Sequence, residues 1–133
     1  MTSTASGGCL CGDIRFEASG EPLWICHCHC NSCRRNTASP MTTWIGFSPE
    51  QVRFSDDRRS FYGSSPGVRR GFCARCGTPV SYQTERHPDQ LHLYVASLDN
   101  PEDFPPRYHV YYSRKIEWLH ADEQLPRHLG SDD

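Results

Sequence analysis

Gly71-Phe72-Cys73-Ala74-Arg75-Cys76-Gly77 reads as a metal-binding turn. Two cysteines with two residues between them can set both sulfurs on one ion. The glycine after the second accepts the positive φ that such a turn needs. Two ligands leave a tetrahedral site half built, so two more thiolates must arrive from elsewhere. Cys9-Leu10-Cys11-Gly12 offers them, just ahead of the first clear strand pattern. Cys9, Cys11, Cys73 and Cys76 then form a closed four-thiolate set. With no open position, its role is structural. Between Cys11 and Cys73 lie 61 residues, so one ion would clip the first half of the chain into a loop.

Working outward, a second cluster reads Cys26-His27-Cys28-His29-Cys30-Asn31-Ser32-Cys33-Arg34. Cys30 and Cys33 repeat the two-residue spacing, and Cys28 can join them through a bend. Cys26 would stand about 13 Å from Cys30 in extended chain, at roughly 3.3 Å per residue. The set is therefore read as Cys28, Cys30 and Cys33 with a fourth position open, the form of a catalytic or substrate-binding zinc. The alternative is a second closed site that recruits Cys26 or a histidine. His27 and His29 point away from the cysteines in an extended segment and read as packing or ligand-orienting residues.

Eight cysteines among 133 residues also raise a disulfide framework. That needs a secretory leader, and the first 13 residues have neither a basic n-region nor an apolar h-region. Tight clusters favour metal over disulfides, and a reducing, cytoplasmic setting follows. Composition narrows the rest. Hydrophobic residues are 36% and charged residues 23%, a lean supply for a core, so metal staples would supplement it. Net charge is −2, which excludes a global positive field for nucleic acid or anionic lipid. No apolar run approaches the roughly 18 residues of a membrane span. Oligomeric state is not legible.

Between the clusters the pattern is mostly strand. Residues 13–18 alternate apolar and polar. Residues 23–28, 41–47, 51–54, 68–72, 80–83, 91–96 and 107–112 are short runs rich in β-branched and aromatic residues, punctuated by Gly and Pro. One or two helical turns are expected over 31–38, with Asn31 or Ser32 as cap. The expectation is a mainly β, zinc-stapled sandwich or barrel-like domain over 7–129 with little helix. Mobile ends are expected at 1–6 and 130–133.

The ordered motifs resemble those of the glutathione-dependent formaldehyde-activating enzymes and their centromere protein V relatives. The matching stretches are Gly8-Cys9-Leu10-Cys11-Gly12, Cys28-His29-Cys30-Asn31-Ser32-Cys33-Arg34 and Ser64-Ser65-Pro66-Gly67-Val68-Arg69-Arg70-Gly71-Phe72-Cys73-Ala74-Arg75-Cys76-Gly77. Ser97-Leu98-Asp99-Asn100-Pro101, Trp118-Leu119 and Leu125-Pro126 follow. The resemblance spans about residues 7 to 129. It implies an Mss-four-like fold and two zinc ions, a structural one on Cys9, Cys11, Cys73 and Cys76 and a second on Cys28, Cys30 and Cys33. It also implies a carbon–sulfur lyase reaction, the addition of glutathione to formaldehyde. Metal and fold transfer from such a resemblance better than substrate does.

On this reading a small thiol and a small aldehyde meet at the open position. Sequence does not decide whether the metal activates the thiol or the carbonyl. Arg34, Arg35, Arg69 and Arg70 flank the motifs and are candidates for holding substrate carboxylates. Trp44, Tyr62 and Trp118 are expected to pack in the core. The rival reading is a zinc-stabilised β-domain that docks a protein or carries a thiol adduct without catalysis. A chromatin binder is disfavoured by the net charge and the lack of a basic tail.

Overall fold

The computed structural model describes residues 4–119 together with Pro126, His128 and Leu129. Its strands are β1 (Thr4–Gly8), β2 (Arg15–Ser19), β3 (Trp24–Cys28), β4 (Thr42–Phe47), β5 (Val52–Phe54), β6 (Arg59–Ser65), β7 (Val68–Cys73), β8 (Pro79–Thr84), β9 (Leu91–Tyr94) and β10 (Tyr108–Val110). One helix, α1 (Asn31–Thr37), lies between β3 and β4. The mainly β expectation holds. The strands form a three-stranded sheet, β1-β2-β5, and a seven-stranded sheet, β10-β3-β4-β9-β8-β7-β6. All pairings are antiparallel except β10 on β3.

Period-two alternation decides which face each side chain takes. In β2, Phe16 and Ala18 are buried while Glu17 faces out, paired across the sheet with Arg53 at 3.5 Å. The apolar face of this small sheet covers Ile25, Ile45, Phe47, Leu91 and Leu93 of the large sheet, which together make the main core. The other face of the large sheet carries Trp24, Cys26 and Cys28 of β3, Trp44 of β4, His92 of β9, Tyr82 of β8 and Arg70 of β7, which all line one cavity. The same alternation thus makes a core on one side and a site on the other.

Several expectations change. Residues 4–6 are not a mobile end: Thr4 to Gly8 pair with Ser19 to Arg15. Glycine, alanine and serine fill this strand because Gly7 packs against the Ser97 carbonyl and the Phe16 ring, leaving no room for a Cβ. β6 also went unread, since its Ser-Phe-Tyr-Gly-Ser-Ser run alternates poorly and lies at an exposed sheet edge. The strand expected to reach Ala96 ends at Tyr94 in a 3-10 turn, and the one expected to reach Tyr112 ends at Val110. Tyr62 and Trp118 are each 64% exposed, so neither is a core residue; Trp44, at 5%, is. Residues 1–3, 130–133 and Leu125 lie outside the described residues.

Candidate metal centres and the adjoining cavity

Two groups of cysteines converge. Cys9, Cys11, Cys73 and Cys76 place their sulfurs within 4.8 Å of one another, and so do Cys28, Cys30 and Cys33. In the first group Cys9 and Cys11 stand 3.7 Å apart and Cys11 and Cys73 3.9 Å. Those separations match the ~3.8 Å edge of a tetrahedron with metal–sulfur bonds near ~2.3 Å. The cradle is a pair of tight turns. Gly12 (φ 83°) and Gly77 (φ 81°) take the left-handed conformation that lets their amides return to the carbonyls of Cys9 and Cys73. The Ile14 amide donates to Cys9 Sγ at 3.2 Å. Thr78 lies 3.1 Å from Cys76 Sγ, and its hydroxyl and amide hold that thiol down, to about 5. The donors at Cys9 and Cys76 favour thiolates there, as a metal requires, while burial and the neighbouring thiols push Cys11 up to about 11.

The second group is built where β3 turns into α1. Cys28 closes the strand, Cys30 caps the helix and Cys33 sits in its first turn. The cap expected at Asn31 or Ser32 is instead the sulfur of Cys30, which accepts from the Cys33 amide at 3.3 Å. A thiolate can do this work, since a cap needs only an acceptor aimed at the free amides. The thiols of Cys28 and Cys33, then the amides of Cys33 and Ser32, pull Cys30 far below the ordinary thiol range, while Cys28 is driven up. Cys28 and Cys33 lie 3.5 Å apart. This trio also fits a metal ion on the chemistry of its donors.

Cys26 is buried on β3 but stands outside both groups. Burial, with the nearby Cys33, pushes it up to about 11. His27 and His29 are outside them as well. His27 Nδ1 meets Thr43 Oγ1 at 2.8 Å, and the fully buried His29 meets His109 Nδ1 through Nε2 at 2.9 Å. His29 thereby ties β10 to the start of α1, alongside its own amide on the Val110 carbonyl.

The trio opens into a cavity of about 600 Å³. Its floor is a cross-strand row that sequence reading missed, because register is not written in any one strand. Trp24, Gly46, His92, Tyr82 and Arg70 are successive partners across β3, β4, β9, β8 and β7. Gly46 has no side chain, and the Trp24 ring occupies the space where a Cβ would stand. Trp24 meets His92 at 4.6 Å, His92 stacks on Tyr82 at 5.2 Å, and the Arg70 guanidinium lies 4.9 Å from the Tyr82 ring centre. Burial, then the charge of His87, holds His92 down to about 4. Burial holds Tyr82 and Tyr94 above the ordinary phenol range; the charge of Arg70 opposes this at both, and Cys33 adds to it at both.

The four candidate arginines part company. Arg70 lines the cavity. Arg69, one residue earlier, turns to the opposite face and stacks on Phe61 at 3.9 Å. Arg34 donates to the His29 and Arg114 carbonyls and to Asn31 Oδ1. With Arg35 it lines a separate groove beside Ile116 and Trp118.

The chain belongs to the glutathione-dependent formaldehyde-activating enzyme family, whose pattern it matches over residues 4–114. A Schizosaccharomyces pombe protein described as an uncharacterized lyase is 33% identical over 93 residues, covering 67% of this chain and 66% of that protein. The chain therefore matches just under two thirds of that relative's length. A crystal structure of a Rhodobacter sphaeroides protein superposes with a TM-score of 0.63 at 23% identity, covering 79% of this chain and 99% of that one. That likeness carries the fold alone. Among the described residues no helix is long and apolar enough to cross a membrane.

Proposed function

We propose that the protein is a zinc-dependent carbon–sulfur lyase that joins a small thiol such as glutathione to a small aldehyde, and parts them, in the cavity beside Cys28, Cys30 and Cys33. The observation that carries this is a three-thiol group, rather than a four-thiol one, opening directly into a 600 Å³ cavity. Cys9, Cys11, Cys73 and Cys76 would hold a structural zinc and the trio a second one. Zinc held by Cys28, Cys30 and Cys33 would supply a Lewis-acid position able to lower the pKa of a bound thiol or polarise a carbonyl oxygen.

The chain's own residues do the rest. The thiols of Cys28 and Cys33, then the amides of Cys33 and Ser32, hold Cys30 low, while Cys28 and Cys33 are held up, so a metal accepted by the trio would displace the protons of those two thiols. Trp44, 5% exposed and beside Cys33, shields the sulfurs from water on one side. The row from Trp24 to Tyr82 gives the two reactants a common floor, and bringing them together is the main catalytic gain. Of the four arginines, Arg70 is the one placed to meet substrate. Thiolate clusters of this kind belong in a reducing setting, so we assign the protein to the cytoplasm.

Thiols add to formaldehyde unaided, so the test measures exchange rather than yield. Magnetisation transfer between free aldehyde and its glutathione adduct is followed near equilibrium with the unaltered protein and with Cys30→Ser at equal concentration. Acceleration that disappears in the variant is the expected result. Tight thiol binding without acceleration would leave an adduct carrier instead.

A further inference from the structure

One wall of the cavity is a strap at the sheet edge. Residues 107–114 run as β10 and then as the 3-10 turn Tyr112–Arg114. Tyr108, Val110 and Tyr111 of this strap line the cavity. Val110 stands opposite Cys28, so the wall borders the trio. Yet β10 is three residues long, lies at the edge of the large sheet and pairs with β3 alone. Tyr108, Tyr111 and Tyr112 are exposed. A short ladder and few buried contacts mark a segment that opens locally.

Tyr111 needs more than that ladder. Its φ of 53° puts a non-glycine residue in the left-handed region. Such a conformation persists only where the surrounding structure holds it. On the β10 side the His29 amide donates to the Val110 carbonyl at 3.1 Å, and His29 Nε2 meets His109 Nδ1 at 2.9 Å. On the far side the fastening comes from α1, where Arg34 Nη1 donates to the Arg114 carbonyl.

The cysteine loop itself aims this guanidinium. Nη1 also donates to the His29 carbonyl at 2.8 Å, and Nη2 donates to Asn31 Oδ1 at 2.6 Å. His29 lies between Cys28 and Cys30, and Asn31 between Cys30 and Cys33. Whatever fixes the three sulfurs therefore fixes the two acceptors that orient Arg34. A rigid planar fork serves three oxygens in this way. Among the described residues no carboxylate pairs with Arg34, so backbone and amide oxygens set its place.

We propose that Arg34 is a positioning residue: it clasps the strap 107–114 to the loop that carries the trio, so that metal at Cys28, Cys30 and Cys33 sets the cavity wall made by Tyr108, Val110 and Tyr111. Arg34 does not line the cavity and acts through the strap. With its sulfurs untied the loop is free to shift, Arg34 loses its aim and the strap loosens. The coupling rests on the reading that the trio takes zinc; the clasp does not.

Amide hydrogen exchange, resolved by residue with nuclear magnetic resonance, tests both. The reporters are the amides of Arg114 and Lys115, which donate to the Tyr111 and Tyr112 carbonyls. In the unaltered protein, mild chelation of one zinc equivalent should speed their exchange about 10-fold, the low end for a hydrogen bond to a charged group. Arg34→Gln should show the fast rate with its zinc in place, and chelation should then change nothing. Arg35→Gln, exposed and one residue further on, should behave as the unaltered protein. Exchange that ignores chelation in the unaltered protein overturns the coupling without reference to any variant. A faster Arg34→Gln strap that still responds to chelation in full also overturns it, since Arg34 would then be a structural tie only. Equal strap exchange in folded Arg34→Gln and the unaltered protein overturns the clasp. Metal analysis at each step separates the two readings. A single zinc at the outset sinks the metal reading and the coupling with it, while the variant comparison still decides the clasp.

Discussion

Cys30 holds α1's first turn with a sulfur, and the same sulfur is a candidate metal ligand. Its two roles are separable in the fold. Cys28, Cys30 and Cys33 lie within one short stretch, whereas Cys11 and Cys73 are 62 positions apart. Cys30→Ser keeps an acceptor at the cap and should give a folded protein without thiol binding. Cys73→Ser should fail to fold, because a structural zinc contributes on the order of 10 kcal/mol in small domains. Circular dichroism melts of the two variants check this; equal losses would make the second centre structural. His92 gives a pH signature. The unfolded chain takes a proton on this ring near its ordinary 6.5, while the folded chain refuses it until about 4. Its contribution is therefore complete above pH 6.5 and lost as pH falls toward 4, about 3 kcal/mol in all. Denaturant titrations of the unaltered protein and His92→Phe should differ in slope across that window; parallel curves would refute the assignment. The cysteines were legible because metal ligation is written in short spacings. His92 and Arg70 were not singled out, or not separated from their neighbours, because what sets them apart is which face of which strand they share.

At the scale of elements, alternation did most of the work. β2, β3, β4, β5, β7 and β8 were readable as apolar runs, and α1 as the one helical turn between clusters. β1 was not, since its residues are chosen by what they must avoid rather than by what they bury. Gly7 would drive a side chain into the Ser97 carbonyl, the Phe16 ring and the Leu98 backbone. Gly7→Val should therefore lower stability by at least about 1–3 kcal/mol, the usual cost of overpacking. A thermal melt against Gly63→Val, where the nearest non-neighbour atom is 3.8 Å from the added carbon, provides the comparison. Gly46 is the same device turned to function. Gly46→Ala should push the Trp24 ring off the floor, so indole fluorescence should shift and thiol affinity fall even in protein that remains folded. An unchanged spectrum and affinity would show that the row is not a continuous surface.

Across the whole molecule the two cysteine groups play unequal parts. One fastens the turn before β2 to the turn after β7 and so joins the small sheet to the far end of the large one; the other sits at a cavity mouth with one thiol fewer. The large sheet is mostly held by its own ladder and by the core beneath it, with Ile45 and Leu93 fully buried. Loss of a metal from the trio should leave that core in place, whereas loss from the four-cysteine group frees a long loop and exposes Ile14, Cys73 and Val80. Purified protein should thus contain two zinc ions of unequal exchangeability. Mild chelation should remove one equivalent while the far-ultraviolet dichroism and the melt change little. Stronger chelation should remove the second together with the fold. Metal analysis taken alongside dichroism at each chelator concentration reads both steps. A single zinc at the outset, or simultaneous release of both with unfolding, would mean that the trio is either metal-free or as structural as its partner group.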